Sequence, residues 1–310
     1  MGSDPDLFPG FAARKISTAP NVEIFVRTGG RGPPLLLLHG YPQTHVIWHR
    51  VAPELARHCS LVIADLRGYG ASSPPPGDDR HVTYSKRTMA EDCIAVMRAL
   101  GHEKFMVAGH DRGGRIAYRL ALDHPGIVTA MVPIDIIPTG EVWRRANAAW
   151  AVKTFHWSFL AQPSPMPERL IGNDPVFWVE QTLAAAAGTR DLSVFSPEAL
   201  VCYRASLNDP ARIHAVCEDY RAGAGLDREL DDADATAGRR IECPTLLLWA
   251  DNYLASSPLN IWVPWCKNLT GAAVRSGHYL AEENPEDMLA ALIPFLTAVS
   301  PTRMSARSAK

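Results

Sequence analysis

Long apolar runs are missing from this chain. Near its start the longest is Leu35 to Leu38, far short of the ~20 residues that a membrane-spanning helix needs. The N-terminus also has no basic region followed by an apolar stretch, so no targeting leader is read there and the expected location is the cytoplasm. An excess of one charge is missing as well: the formal net charge is -2 over 310 residues, which gives no basic face for a polyanion and excludes nucleic acid as an expected partner. Cysteines are few and unpatterned. The six, Cys59, Cys93, Cys202, Cys217, Cys243 and Cys266, show no CxxC spacing, which suits reduced thiols better than disulfides or a zinc site. No internal repeat is present.

What remains is an ordinary globular composition, 47% hydrophobic and 21% charged, in a chain long enough for one large domain or a domain with an insertion. Short apolar runs recur at Val22–Val26, Leu35–Leu38, Leu61–Ala64, Phe105–Ala108, Ile127–Ile134, Thr245–Trp249 and Ala272–Val274. Helical patterns separate them at Val46–Ala56, Lys86–Leu100 and after Gly114, and one closes the series at Pro285–Leu296. Strands buried on both faces and alternating with helices predict an α/β fold with a mostly parallel, doubly wound sheet. Between residues 139 and 240 the alternation stops. Alanine-rich stretches punctuated by Trp143, Trp150, Trp157 and Trp178 predict a helical cap over the strand ends. The expected organisation is a core of residues 1–138 and 241–299, a cap of residues 139–240, and a flexible tail of residues 300–310.

The series is organised around Val107-Ala108-Gly109-His110-Asp111-Arg112-Gly113-Gly114-Arg115. An apolar strand meets a small-x-nucleophile-x-small turn, and a helix follows, which is the context of a nucleophile elbow. The residue lifted by the turn is Asp111 and not serine. Aspartate is also a favoured helix cap, but a carboxylate held there can displace a leaving group from saturated carbon and form an ester, splitting one hard step into two. Hydrolysing that ester takes a base and a group to orient the base. His278, after the last strand, suits the first role; Asp135 and Asp251 each stand at a strand end and suit the second. The exit of the Leu35 strand, His39-Gly40-Tyr41-Pro42, allows the Tyr41 N–H to face the pocket beside the Arg112 N–H as an oxyanion hole.

The chain resembles the fluoroacetate dehalogenases within the α/β-hydrolase superfamily. The likeness runs from Asp6-Leu7-Phe8-Pro9-Gly10-Phe11 to His278 and is carried by His39-Gly40-Tyr41-Pro42-Gln43, Gly109-His110-Asp111-Arg112-Gly113, Asp135-Ile136-Ile137-Pro138-Thr139, His156 to Pro163 and Cys217 to Gly223. The elbow alone is shared with haloalkane dehalogenases and epoxide hydrolases; the cap strings are more specific. The resemblance implies an α/β-hydrolase fold and hydrolysis of a short 2-haloacid, with fluoroacetate giving glycolate and fluoride. It implies Asp111 as nucleophile, His278 as base, Asp135 rather than Asp251 as its partner, Arg112 and Arg115 on the substrate carboxylate, and His156, Trp157 and Tyr220 on the halide. No metal or organic cofactor is implied, and a homodimer is. The chain departs from the better-known members at Arg67, where they carry proline, and at Tyr279, where they carry phenylalanine; the segment 252–258 does not align readily. Two rival readings are an epoxide hydrolase, with Tyr220 and Tyr203 as ring-opening acids, and a non-catalytic hydrolase-fold protein that binds a small carboxylate.

Overall fold

In the computed structural model, residues 7–251 and 257–299 are described. Eight strands form one sheet: β1 (Ala12–Ala19), β2 (Val22–Gly30), β3 (Pro34–Leu38), β4 (Ser60–Ala64), β5 (Phe105–His110), β6 (Val128–Ile134), β7 (Thr245–Ala250) and β8 (Leu269–Val274). Their order is β1-β2-β4-β3-β5-β6-β7-β8. The pairs β1·β2 and β2·β4 are antiparallel, and all others are parallel. β5 and β7 are buried along their whole length and β3 along nearly all of it, as expected of central strands covered by helices on both faces. The mostly parallel α/β sheet is therefore present.

Two expectations need correction. Residues before Val22 hold β1, a polar edge strand with one side in solvent; its sequence Ala-Ala-Arg-Lys-Ile-Ser-Thr-Ala has no apolar run to announce it. The helix expected over Val46–Ala56 is two short pieces, a 3₁₀ turn at His45–Trp48 and a helix at Ala52–Leu55. Pro53 is the reason: it lacks an N–H and so opens a helix rather than continuing one.

Between β6 and β7 the chain makes eight helices, from Thr139–Arg145 to Leu226–Thr236. Several begin at a capping residue followed by proline. Asp174, Ser196 and Asp209 each accept a backbone N–H of the first turn, and Pro175, Pro197 and Pro210 occupy the first helical position. The last of these helices is bonded to the sheet layer. Arg119, on the helix Arg112–Asp123 that follows β5, reaches Asp231 at 2.7 Å and Asp234 at 2.5 Å, and the Tyr118 hydroxyl donates to Asp231 at 2.8 Å. Among the described residues no helix is long and apolar enough to cross a membrane. The tail 300–310 lies outside the described residues, as does most of the segment 252–258.

Candidate active site

Asp111 sits between β5 and the helix Arg112–Asp123 with φ 46° and ψ −113°, a left-handed conformation that costs a non-glycine residue roughly 1–3 kcal/mol and persists only where the surroundings enforce it. The enforcement is steric. A Cβ on Gly109 would stand 2.3 Å from the Gly113 carbonyl oxygen, and one on Gly113 2.5 Å from that of His39. Gly40, on the neighbouring strand exit, faces Asp111 itself: a Cβ there would lie 2.4 Å from the Asp111 Cβ. The backbone thus closes around the carboxylate, and the Tyr41 N–H donates to its Oδ1 at 3.0 Å. The Arg112 N–H opens the following helix, where no earlier helical carbonyl can accept from it.

His278 follows β8, and its Nδ1 lies 2.6 Å from Asp135 Oδ2. The other oxygen of Asp135 accepts the Ala250 N–H at 2.9 Å, so the carboxylate is held at both ends. An ionised carboxylate only accepts, which puts the imidazole proton on Nδ1 and turns Nε2 toward Asp111, 4.0 Å from its Oδ2. Asp251 has its backbone N–H on Val274 and its side chain exposed. Burial opposes the charged form of Asp111, but the nearby His278, Arg115 and Arg112 outweigh it and its pKa falls to about 2. Burial likewise disfavours protonated His278, yet the Asp135 hydrogen bond and the charges of Asp135 and Asp111 raise it above the usual histidine value.

Asp111, Arg115, Asp135, His156, Trp157, Tyr220 and His278 all line one cavity of about 350 Å³. The helix His156–Leu160 brings His156 and Trp157 over it, and the helix Pro210–Ala224 brings Tyr220. Tyr220 meets both edge-on, with ring centroids 5.9 Å from His156 and 5.8 Å from Trp157. Neither the Tyr220 hydroxyl nor the Trp157 and His156 ring nitrogens reach a protein acceptor among the described residues. Burial lowers the His156 pKa to about 4, which makes the ring neutral at ordinary pH.

The two arginines differ. Arg112 is fully buried, with its guanidinium 4.1 Å from the Tyr220 ring centroid. Its Nε and Nη2 donate to the Asp219 carboxylate at 2.9 and 2.7 Å, and Nη2 also reaches the Asp219 carbonyl oxygen at 2.7 Å. Only Nη1 is left unpaired. Arg115 lines the cavity, spends Nη1 on the Ile137 carbonyl oxygen and Thr139, and keeps a buried, unpaired Nε. Of the two departures from the resembled pattern, Arg67 turns away from the cavity onto Asp92, whereas Tyr279 lines it. Tyr203, unlike Tyr220, is not among the residues that line the cavity, and its hydroxyl donates to the buried Glu282. Asp219 was not singled out by sequence, although the string Cys217-Glu218-Asp219-Tyr220 contains it.

A family model for the alpha/beta hydrolase fold matches residues 33–285. The chain belongs to the α/β-hydrolase family. Within that family it is 43% identical to the fluoroacetate dehalogenase of a Burkholderia species, over 94% of this chain and 95% of the relative. It is 30% identical to a soluble epoxide hydrolase of a Corynebacterium species, over 86% of this chain and 91% of that one. Among solved structures it is similar to a variant, with bound MFA, of a Pseudomonas aeruginosa protein provisionally assigned as an epoxide hydrolase; identity is 47%, coverage 96% of this chain and 98% of that one, and the TM-score 0.89. The resemblance to fluoroacetate dehalogenases therefore extends over nearly the whole α/β-hydrolase chain.

Proposed function

We propose that this α/β hydrolase removes the halogen from short 2-haloacids by hydrolysis, converting fluoroacetate to glycolate and fluoride. The observation that carries the reading is the setting of Asp111: an ionised carboxylate whose cavity is bounded by Arg115, with an unpaired buried N–H, and by three unpaired ring and hydroxyl donors. Arg115 Nε and Arg112 Nη1 hold the substrate carboxylate. Asp111 Oδ2 attacks the carbon bearing halogen; the carbon–halogen bond breaks as the carbon–oxygen bond forms, and the halide leaves toward His156, Trp157 and Tyr220. Fluoride concentrates its charge on a small atom, so these donors act on it more strongly in the transition state than in the ground state.

His278 Nε2 then takes a proton from water, whose oxygen adds to the Asp111 carboxyl carbon. Asp135 stabilises the imidazolium, and the Tyr41 and Arg112 amides stabilise the oxyanion. The tetrahedral intermediate collapses with proton return from His278 to the departing oxygen; product, halide and one proton result. An Asp-His-Asp triad of Asp111, His278 and Asp135 thus carries both halves. The helices of residues 139–240 act as the cap of a core formed by 1–138 and 241–299. The exposed Val152 and Phe177 on those helices, with Phe155 between two of them, support a homodimer, and the chain is assigned to the cytoplasm.

An epoxide hydrolase reading needs two acids over the ring, and the seat of Tyr203 on Glu282 leaves Tyr220 without that partner. The deciding experiment measures fluoride and chloride release from a panel of haloacetates and 2-halopropionates beside epoxide consumption. In the same assay His278→Asn stops turnover and holds the Asp111 ester, visible by intact mass; free turnover by that variant overturns the assignment.

A further inference from the structure

Glu283 has no role in the chemistry above, yet its carboxylate is the common acceptor of three backbone amides. Oε2 takes the Gly277 N–H at 2.8 Å and the Gly188 N–H at 2.9 Å, and Oε1 takes the Tyr279 N–H at 3.0 Å. Gly277 and Tyr279 flank His278 on either side. Gly188 lies just beyond the helix Pro175–Ala186, in the stretch inserted between β6 and β7.

The remaining polar groups of the His278 backbone are fixed as well. Its N–H donates to the Ala186 carbonyl oxygen at 3.1 Å, and its carbonyl oxygen lies 2.8 Å from His110 Nε2. A carbonyl can only accept, so His110 carries its proton on Nε2. The crossing leaves no slack: a Cβ on Gly277 would stand 2.1 Å from the Gly188 nitrogen, and one on Gly188 2.8 Å from Glu283 Oε2. One side chain therefore grips the peptide units before and after the base, and the same side chain grips the inserted segment.

We propose that Glu283 is a positioning residue for His278, holding its imidazole in line with Asp111 and tying that alignment to the seat of the cap at Gly188. The proposal rests on the reading of His278 as the base of ester hydrolysis. Charge is part of the effect. The groups facing His278 are Asp135, Asp111, Glu283, His110, His156 and Tyr279. Burial lowers His110 to about 3 and His156 to about 4, so both are neutral at ordinary pH, whereas Asp135 and Asp111 favour the protonated His278 ring. Glu283 is one of the groups that raise it.

Two variants separate reach from charge. Glu283→Gln keeps the length but replaces one acceptor oxygen with an NH₂ that must face an N–H, and it removes the charge. Glu283→Asp keeps the charge but falls short by one methylene. Single-turnover reactions with fluoroacetate, followed by intact mass, resolve formation and decay of the Asp111 ester. In both variants formation stays within about twofold of the parent while decay slows by about tenfold or more, as expected for a misplaced base. The acid limb of decay moves to lower pH in Glu283→Gln and stays in Glu283→Asp.

Decay within twofold of the parent in both, with an unmoved limb, overturns the proposal, and so does an equal loss in both steps. If Glu283→Gln does not fold, the Glu283→Asp decay rate decides alone. A parent enzyme that forms no ester sinks the dehalogenase reading instead. In that event the ring ¹⁵N shifts of His278 in labelled protein still test the positioning claim: its titration moves to lower pH in Glu283→Gln and its tautomer balance changes in Glu283→Asp if the claim holds, and both match the parent if it does not.

Discussion

Arg112 lies between the Tyr220 ring and the Asp219 carboxylate, its fork closed on the acid and a single N–H left over. The Lys86 ammonium reaches the same carboxylate, and both cations are buried with it. Burial opposes the charge on Arg112, but Asp219 overcomes it and drives the guanidinium well above its usual pKa. Truncating one member of such a group strands charge in the interior, at a cost of about 3–5 kcal/mol. Asp219→Asn is expected to lower the melting temperature and to raise KM for haloacid by about tenfold or more, since the free Nη1 loses its fixed direction. Thermal melts and initial rates of halide release read both effects.

In the proposed mechanism, ester formation and ester hydrolysis respond differently to acid. Formation needs ionised Asp111, whose pKa of about 2 keeps it charged down to strongly acidic solution. Hydrolysis needs neutral His278, whose raised pKa means that the base is lost as pH falls through a value above the usual histidine range. The esterified fraction of the enzyme therefore rises as the pH is lowered from 8 to about 5. Intact mass of samples quenched in steady state measures it directly. A constant fraction across that interval contradicts the assignment of the base.

Gly40 tests the steric closure around the nucleophile. A methyl group there would come within 2.7 Å of Asp111 Oδ1 and closer still to its Cβ, so the carboxylate must move. Gly40→Ala is expected to slow ester formation by about a hundredfold, the size associated with a displacement near 1 Å. Circular dichroism separates this from unfolding: the spectrum stays that of the parent while single-turnover burst rates fall.

Arg67 serves as the control. It makes a two-pronged pair with Asp92, both bonds at 2.8 Å, with Thr18 donating to the same carboxylate. None of these groups lines the active cavity. Arg67→Ala leaves Asp92 buried without its cation and is expected to cost about 3–5 kcal/mol in urea unfolding. Halide release by the folded fraction stays within about twofold of the parent.

The elbow was legible in the sequence because its constraint is local. A backbone that folds back on itself within five residues demands glycine at Gly109 and Gly113, and the same turn dictates which side chain is lifted. The central strands were legible because burial on both faces leaves an unbroken apolar run. β1 was not, since an edge strand needs apolar residues on one face at most. The grip of Asp219 on Arg112 and of Glu283 on Gly188 joins segments about a hundred residues apart. No pattern in one-dimensional spacing marks such pairs. Asp135 and Asp251 look alike as strand-end aspartates; the difference appears only when one meets His278 at 2.6 Å and the other faces solvent.

The Tyr41 amide singles out one oxygen of Asp111, and the chemistry proposed here gives that preference a material outcome. The untethered oxygen is the one that bonds to substrate and departs with the product, so each hydroxy acid released carries an atom of the protein. Solvent refills the gap, while the tethered atom persists from one catalytic round to the next. In isotopically heavy water, the first equivalent of glycolate is expected to emerge light, with the heavy atom left behind in the enzyme.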